Sequence, residues 1–209
     1  SPPNEFSASL SSADEDVRVG TQLTCSGSTT DNDLDDISYS FHWQSADQGD
    51  AFMDIPDAST EDLLVTSALS RKNIRCMIKA YDTPHDGITE SQLSNAVSVL
   101  NTDPEADGFE AELSSYEGRI TDSIECSGET SDKDSDALSY SYQWEVKTED
   151  ASDFIPLDQL DSKLKTLSLS KAYSHSHLRC TVVADDDFGG VVLSEASDSF
   201  YVINTIPEQ

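Results

Sequence analysis

Apolar and polar residues alternate with a period of two along most of the chain. In residues 39–43 (Tyr-Ser-Phe-His-Trp) the aromatic rings fall on every second position, as a half-buried β-strand requires. The same alternation recurs in residues 140–144 and around Cys76 and Cys180. No long segment shows the 3.6-residue period of an amphipathic helix. Further strands are predicted near residues 5–10, 51–55, 62–67 and 90–100, and near 108–113, 152–156, 163–168 and 191–203. The pattern predicts an all-β fold of antiparallel strands.

The chain carries one sequence pattern twice. Residues 25–43 and 126–144 align without a gap, and eleven of their nineteen positions are identical. The match returns where Asn-Ile-Arg-Cys at 73–76 faces His-Leu-Arg-Cys at 177–180. A repeat of this length indicates two copies of one domain, and it predicts the boundaries 1–103 and 104–209.

The ends of the two repeats also correspond. Asn-Thr-Asp-Pro-Glu at 101–105 faces Asn-Thr-Ile-Pro-Glu at 204–208. The last residues therefore resemble a junction to a further repeat. Since the chain also begins at Ser1 without a methionine, we expect a processed protein or an excerpt of a longer tandem array.

Each repeat has two cysteines and one tryptophan in the same order. The tryptophan follows the first cysteine by 18 positions, and the second cysteine follows the first by 51 or 54. Four cysteines allow three pairings, but this order is typical of immunoglobulin-like sandwiches, where the tryptophan packs on a disulfide between the sheets. We therefore predict two tandem sandwiches with the bridges Cys25–Cys76 and Cys126–Cys180, buried free thiols being the alternative. Disulfides indicate an oxidising compartment, outside the cell or on its surface.

The chain is strongly acidic. It has 41 acidic and 12 basic residues among 209, and a formal net charge of −29. Such a surface repels phosphate, so a nucleic-acid partner is excluded. No apolar stretch approaches the roughly 18 residues of a transmembrane segment. We find no GxSxG, HExxH or P-loop motif and expect a protein that is not an enzyme.

Aspartates alternate in a loop that precedes the Tyr/Trp strand of each repeat. They are Asp31, Asp33 and Asp35 in the first repeat, and Asp132, Asp134 and Asp136 in the second. Carboxylates at alternate positions can turn several oxygens toward one Ca²⁺ ion, which takes six to eight. The loop is not an EF-hand, because Asp36 and His42 stand where that motif needs Gly and Glu. A solvated acidic turn is the alternative interpretation.

A second acidic group follows the strand of the second cysteine. It consists of Asp82 in the first repeat and of residues 185–187 (Asp-Asp-Asp) in the second. In a sandwich this loop emerges at the same end as the aspartate loop. Two converging acidic loops repel each other without a counter-ion, which supports calcium. His175 and His177 alternate along a strand edge and could bind a transition metal, although an ordinary exposed pair is the favoured interpretation.

These motifs resemble those of a known family. The stretch Asp-x-Asp-x-Asp-x-(Ile/Leu)-Ser-Tyr-Ser-x-x-Trp, followed by Arg-Cys-x-(Ile/Val)-x-Ala-x-Asp and Asn-Thr-x-Pro, is similar to tandem Ig-like or cadherin-like repeats of bacterial surface and secreted proteins. The resemblance covers nearly the whole chain as two units. It implies calcium ligands at Asp31, Asp33, Asp35 and Asp82, and at Asp132, Asp134, Asp136 and Asp186. The chain departs from the family at Leu34 and Ser135, where such repeats carry glycine.

The resemblance implies a stalk, an adhesin or a fibre component. The expected partners are neighbouring repeats or subunits of a longer array, and a cell-surface or glycan ligand. The alternative is a carbohydrate- or ligand-binding accessory module of a secreted enzyme. That function would need exposed aromatic rings, for which the candidates are Phe52, Tyr81, Tyr116, Tyr173 and Phe188.

Overall fold

A computed structural model describes residues 1–83, 87–157 and 163–204 of the chain. The chain divides into two compact units, Ser1–Thr102 (unit 1) and Asp103–Gln209 (unit 2). Of the residues that resemble a further junction, those from 205 onward lie outside the described part. Within the described part, the helical segments are too short and too polar to cross a lipid bilayer.

Unit 1 is a sandwich of two antiparallel sheets. Its strands are β1 (Ser9–Ser12), β2 (Gln22–Ser26), β3 (Asp36–Ala46), β4 (Met53–Asp54), β5 (Asp62–Leu64), β6 (Asn73–Thr83), β7 (Ile88–Glu90) and β8 (Val97–Ser98). One sheet has the order β1-β2-β5, and the other has the order β4-β3-β6-β7, with β8 also paired to β6. A single 3-10 turn, Ser67–Leu69, connects β5 to β6.

Unit 2 repeats this architecture. Its strands are β9 (Glu112–Leu113), β10 (Glu117–Arg119), β11 (Ser123–Ser127), β12 (Ser139–Thr148), β13 (Ile155–Pro156), β14 (Thr166–Ser168), β15 (Ser176–Asp185), β16 (Val191–Leu193) and β17 (Phe200–Ile203). The sheets have the orders β14-β11-β9 and β10-β17-β15-β12-β13, and β16 also pairs with β15. Strands β10 and β17 run parallel, from Glu117 opposite Tyr201 to Arg119 opposite Ile203.

The alternation of the sequence decides which side chains enter the core. Along β15 every second residue is buried, over all ten positions. Four of these residues, and their four counterparts on β6, are fully buried. They are Leu178, Cys180, Val182 and Ala184, and Ile74, Cys76, Ile78 and Ala80. Burying one large aliphatic side chain contributes about 1.5–3 kcal/mol, so the alternation itself supplies much of the driving force for the sandwich.

One disulfide joins the two sheets of each unit beside a buried tryptophan. The bridges are Cys25–Cys76, between β2 and β6, and Cys126–Cys180, between β11 and β15. Trp43 and Trp144 are 1% and 0% exposed, and each stands opposite the second cysteine of its unit in the ladder. The prediction of an all-β chain with two tandem immunoglobulin-like sandwiches, each with one inter-sheet disulfide, is confirmed.

The edge strand that follows β6 is interrupted, and two serine hydroxyls bridge the gap between β7 and β8. Ser94 Oγ accepts a hydrogen bond from the backbone N–H of Cys76 at 2.9 Å, and Ser91 Oγ accepts one from Ile78 at 3.0 Å. Between β16 and β17 the equivalent pairs are Ser197 with Cys180 at 3.0 Å, and Ser194 with Val182 at 2.9 Å. Serine hydroxyls thus replace ladder carbonyls as acceptors, while the N–H groups of the same serines still bond the carbonyls of β6 and β15.

Candidate metal centre

The structure brings the three alternating aspartates of each loop together. In unit 1 one carboxylate oxygen from each of Asp31, Asp33 and Asp35 lies within 4.8 Å of the others, and the same holds for Asp132, Asp134 and Asp136 in unit 2. Both loops precede the long strand that carries the tryptophan, β3 or β12. In the described ranges these are the two groups of at least three metal-ligating side chains with such spacing.

Backbone hydrogen bonds shape each loop into a tight turn. Asp31 Oδ1 accepts from the N–H of Asp33 at 2.6 Å, and Asp132 Oδ1 accepts from the N–H of Asp134 at 2.7 Å. The backbone carbonyls of the same two first aspartates accept from Leu34 and Ser135. Both of these residues have φ near 64°, the left-handed conformation that glycine adopts at little cost. The loops therefore keep a glycine-type turn although neither carries glycine there.

The most deeply buried acid of unit 1 comes from another strand. The side chain of Asp82, near the end of β6, is 0% exposed. Both of its carboxylate oxygens are buried and accept no hydrogen bond from any described residue, and the same is true of Asp31 Oδ2. A buried ionised carboxylate without hydrogen bonds costs several kcal/mol unless a cation lies beside it.

In unit 1 the loop and the strand end face one point. The amino group of Ser1 forms an ion pair with Asp33 and lies 4.0 Å from Asp82 Oδ2. A carboxylate of the loop and the carboxylate at the strand end therefore lie close to the same atom.

In unit 2 a carboxylate that the sequence analysis missed lies beside Asp186. A Cβ on Gly190 would lie 2.3 Å from Asp186 Oδ2 and 2.9 Å from Asp103 Oδ1, so these two oxygens are at most 5.2 Å apart. Asp186 is 1% exposed, and its Oδ1 accepts from the N–H groups of Phe188 and Gly190 at 2.7 and 2.9 Å. Asp103 precedes the repeated Pro104, but unit 1 has Pro2 there, so comparing the repeats gave no signal.

Glycine is required at two equivalent positions because backbone and carboxylate approach closely. A Cβ on Gly87 would lie 2.9 Å from Pro2 Cα and 3.3 Å from Asp82 Oδ2. The backbone N–H of Asp82 bonds the carbonyl of Gly87 at 2.9 Å, and Asp186 bonds Gly190 in the same way at 3.1 Å. The two units therefore hold the acid at the end of β6 or β15 with the same backbone geometry.

Burial raises the pKa of one aspartate in the loop of unit 2. The pKa of Asp132 is raised, first because burial penalises its charged form and then because Asp134 and Asp136 carry like charges. Hydrogen bonds from the backbone of Asp134 and Asp136 act in the opposite direction but do not cancel the effect. A bound dication would remove this penalty, since it pairs with the charged form.

The histidine pair takes part in a hydrogen-bonded chain. His175 Nδ1 lies 3.0 Å from Tyr201 Oη, and that hydroxyl donates to Glu149 Oε1 at 2.6 Å. The ring of His177 lies 5.1 Å from the tyrosine ring, between centroids. Hydrogen bonding to Glu149 raises the pKa of Tyr201. The two histidines are therefore engaged with an aromatic neighbour.

Two of the aromatic candidates for a sugar-binding platform contact neighbours in their own unit. Arg75 covers the ring of Phe52 at 3.9 Å, and Tyr81 Oη bonds Ser40 Oγ at 3.1 Å. Tyr116 and Phe188 are both about half exposed. Phe52 and Tyr81 are therefore engaged within unit 1, whereas Tyr116 and Phe188 present part of their rings to solvent.

Comparison with known proteins gives no family. No family model and no curated protein matches the chain. Among solved structures, the FN1–FN3 domains of chicken CNTN1 are 14% identical, with 100% of this chain and 68% of that chain covered and a TM-score of 0.34. The three N-terminal domains of the outer capsid protein Hoc of bacteriophage RB49 are 11% identical, with 97% and 71% covered and a TM-score of 0.32. Likenesses this distant carry no argument about function.

Proposed function

We propose that the chain is a pair of calcium-binding immunoglobulin-like repeats from an extracellular structural or adhesive array. The observation that carries the proposal is the Asp82 carboxylate, fully buried and without a hydrogen bond from the described residues. Asp82 Oδ2 and Asp33 Oδ2 of the aspartate loop both lie within 4.0 Å of one atom, the nitrogen of Ser1. A buried carboxylate of this kind, without hydrogen bonds, is costly to ionise, and a divalent cation beside it would offset that cost.

Calcium fits the donor set better than other common metals. All the side-chain ligands in these groups are carboxylates. Zinc and copper sites typically use cysteine sulfur or histidine nitrogen, so the donor set does not match them. Ca²⁺ accepts six to eight oxygens in flexible geometry, whereas Mg²⁺ demands a near-ideal octahedron and keeps several waters. In unit 1 Asp31, Asp33, Asp35 and Asp82 would hold the ion. In unit 2 the set would be Asp132, Asp134, Asp136 and Asp186, with Asp103 beside it.

The bound ion would fix one end of each sandwich. It would tie the loop before β3 or β12 to the end of β6 or β15, two elements that otherwise repel. Extracellular modules bind calcium with dissociation constants of about 0.1–1 mM, near the concentration outside cells. The disulfides fit the same compartment. Tandem units stiffened in this way suit a stalk, an adhesin or a fibre, with neighbouring repeats or subunits as partners and a cell-surface or glycan ligand at its end.

Thermal unfolding in calcium and in chelator tests the proposal. A ligand that binds the folded state alone stabilises it by about 2.7 kcal/mol at 100 times its dissociation constant. We expect millimolar calcium to raise the Tm of both units, followed separately by the indole N–H signals of Trp43 and Trp144 in NMR spectra. An unchanged Tm at millimolar calcium would reject the proposal.

The substitution Asp82→Asn sharpens the test. It removes the buried charge and keeps the shape of the side chain, so the calcium-free Tm of unit 1 should rise while its response to calcium should disappear. Asp50→Asn, on an exposed turn, changes the net charge equally and should alter neither. A lower calcium-free Tm for Asp82→Asn would show that the carboxylate has a different partner in solution.

A further inference from the structure

Unit 1 has an open cleft between the edges of its two sheets. The cleft has a volume of about 480 Å³ and lies between β4, at the edge of one sheet, and β5, at the edge of the other. Its apolar lining includes Ile55, Leu63 and Leu69. These three residues belong to the core or pack against it, so a side chain that entered the cleft would contact the interior of the sandwich. Ligand sites of about this volume are common in proteins.

The rim of the cleft is acidic. Asp54, Asp57 and Asp62 line it, and none of the described lining residues is basic. Asp54 accepts a hydrogen bond from Gln44 Nε2 at 2.9 Å, and Asp62 accepts one from Thr24 Oγ1 at 2.7 Å. These are neutral donors, so they leave the negative charge of both groups in place. An apolar floor inside an acidic rim is complementary to an apolar ligand that carries positive charges.

Backbone hydrogen-bonding groups also face the cleft. The N–H of Val65 donates a hydrogen bond to the carbonyl of Thr21, and the N–H of Cys25 donates one to the carbonyl of Glu61. The backbone N–H and C=O groups of residues 61, 63 and 65 therefore point toward β2. By the alternation of an antiparallel ladder, the N–H and C=O of Leu64 point outward from the edge. Next to β4, the N–H of Ile55 donates a hydrogen bond to the carbonyl of Trp43 on β3. By the same alternation, the N–H and C=O of Asp54 point away from β3, outward from the edge. Asp62 is the other outward residue of β5, and its carbonyl accepts a hydrogen bond from Thr60 Oγ1 at 2.7 Å. Leu64 is therefore the residue through which this edge can accept an additional strand.

We infer that this cleft binds an extended peptide segment in which apolar side chains alternate with lysine or arginine. The segment pairs with the edge of β5 through the backbone of Leu64. Its apolar side chains enter the cleft toward Ile55 and Leu63, and its basic side chains meet the rim of Asp54, Asp57 and Asp62. This is strand addition to a sheet edge, in which backbone bonds give affinity and the alternate side chains give specificity. It does not depend on calcium.

The probe is a capped peptide with the sequence Lys-Leu-Lys-Val-Lys-Leu-Lys, titrated into the ¹⁵N-labelled full chain in chelator and again in calcium. We expect shifts of the Leu63, Leu64 and Ile55 amides, and protection of the Leu64 amide from hydrogen exchange. Two control peptides keep the length. One has the same residues in two blocks, and the other replaces lysine by glutamate; both should bind at least about tenfold more weakly.

Variants of the chain separate the two parts of the inference. Leu64→Pro removes the outward N–H at an edge position that tolerates proline, and it should weaken binding about tenfold relative to Leu64→Ala, which keeps the N–H. The triple variant Asp54→Asn, Asp57→Asn, Asp62→Asn should weaken binding about tenfold at low salt. The matched triple variant Glu5→Gln, Glu15→Gln, Asp50→Asn should leave it within about twofold.

Three outcomes would overturn the inference. Equal binding of the alternating and block peptides would show general electrostatic attraction to an acidic chain. Equal losses of peptide affinity in the two triple variants would also show general electrostatic attraction. Shifts around the cleft without protection of the Leu64 amide would mean that the site takes a cationic amphiphile and not a strand.

Discussion

Leu34 and Ser135 hold the same place in the acidic loops of the two units, and both have φ near 64°. A residue with a Cβ pays about 1–2 kcal/mol for this conformation. Glycine would adopt it at little cost. Both loops therefore adopt the same strained turn. The Leu34 side chain is 90% exposed, so packing of this side chain does not offset the strain.

Replacing either residue by glycine should therefore stabilise its unit. Leu34→Gly and Ser135→Gly relieve the strain but raise the entropy of the unfolded chain, which costs up to about 1 kcal/mol, so we expect a net gain of up to about 1 kcal/mol. Urea denaturation measures it. Leu64→Gly, in a strand with ordinary φ, is the control and should destabilise unit 1. A loss at position 34 as large as at position 64 would contradict the assignment of strain.

The serine hydroxyls of the interrupted edge strands should be costly to remove. Ser197→Ala leaves the buried N–H of Cys180 without its acceptor, and Ser94→Ala does the same to Cys76. An unsatisfied buried donor costs about 1–3 kcal/mol, so each variant should lower the free energy of unfolding of its unit by that amount. Ser199→Ala, at an exposed position, should change it by less than about 0.5 kcal/mol. Equal effects at 197 and 199 would refute the role of the hydroxyl.

The raised pKa of Asp132 predicts a pH dependence in the absence of calcium. A carboxyl whose pKa is higher in the folded than in the unfolded state stabilises the fold below the unfolded value, near 3.8, and loses that contribution as the pH rises through the folded value. In chelator the Tm of Asp132→Asn should therefore exceed that of the wild type near pH 7, and the difference should shrink as the pH falls toward about 4. A difference independent of pH would show that Asp132 is not under strain.

Asp103 should make the two proposed calcium sites unequal. Unit 2 can offer a fifth carboxylate where unit 1 has Pro2, and calcium affinity rises with the number of charged ligands. Asp103→Asn should weaken calcium binding in unit 2 about tenfold, as followed by the amide signal of Gly190. Binding in unit 1, followed by the amide signal of Gly87, should not change. Equal affinities in the wild-type units would argue that Asp103 is not a ligand.

Much of the fold was predictable because it depends on strong local signals. The alternation around Trp43 and Cys76 fixes the inward face, and the repeated Cys-Trp-Cys order indicates the sandwich and its bridges. The breaks in the edge strands were not predictable, because they depend on Ser94 and Ser197 reaching a backbone N–H on another strand. Sequence periodicity carries no information about such a side-chain acceptor.

The candidate metal centre was predictable in part, for a similar reason. Asp31, Asp33 and Asp35 are close in sequence, so their convergence follows from a tight turn. Asp82 required the additional assumption of strand order. Asp103 could not be found by comparing the repeats, because unit 1 has no acidic residue at the equivalent position. Its proximity to Asp186 depends on the close approach of both residues to Gly190, which only the structure shows.

The parallel pair of β10 and β17 has a mechanical consequence. These strands lie near the start and the end of unit 2, so a pulling force along the chain loads their hydrogen bonds in shear, all together and not one after another. Once they fail, the bridge Cys126–Cys180 still closes a segment with a sequence separation of 54 residues, about 180 Å of extended chain. An overloaded unit 2 would lengthen in a limited first step, and only reduction would release the remainder.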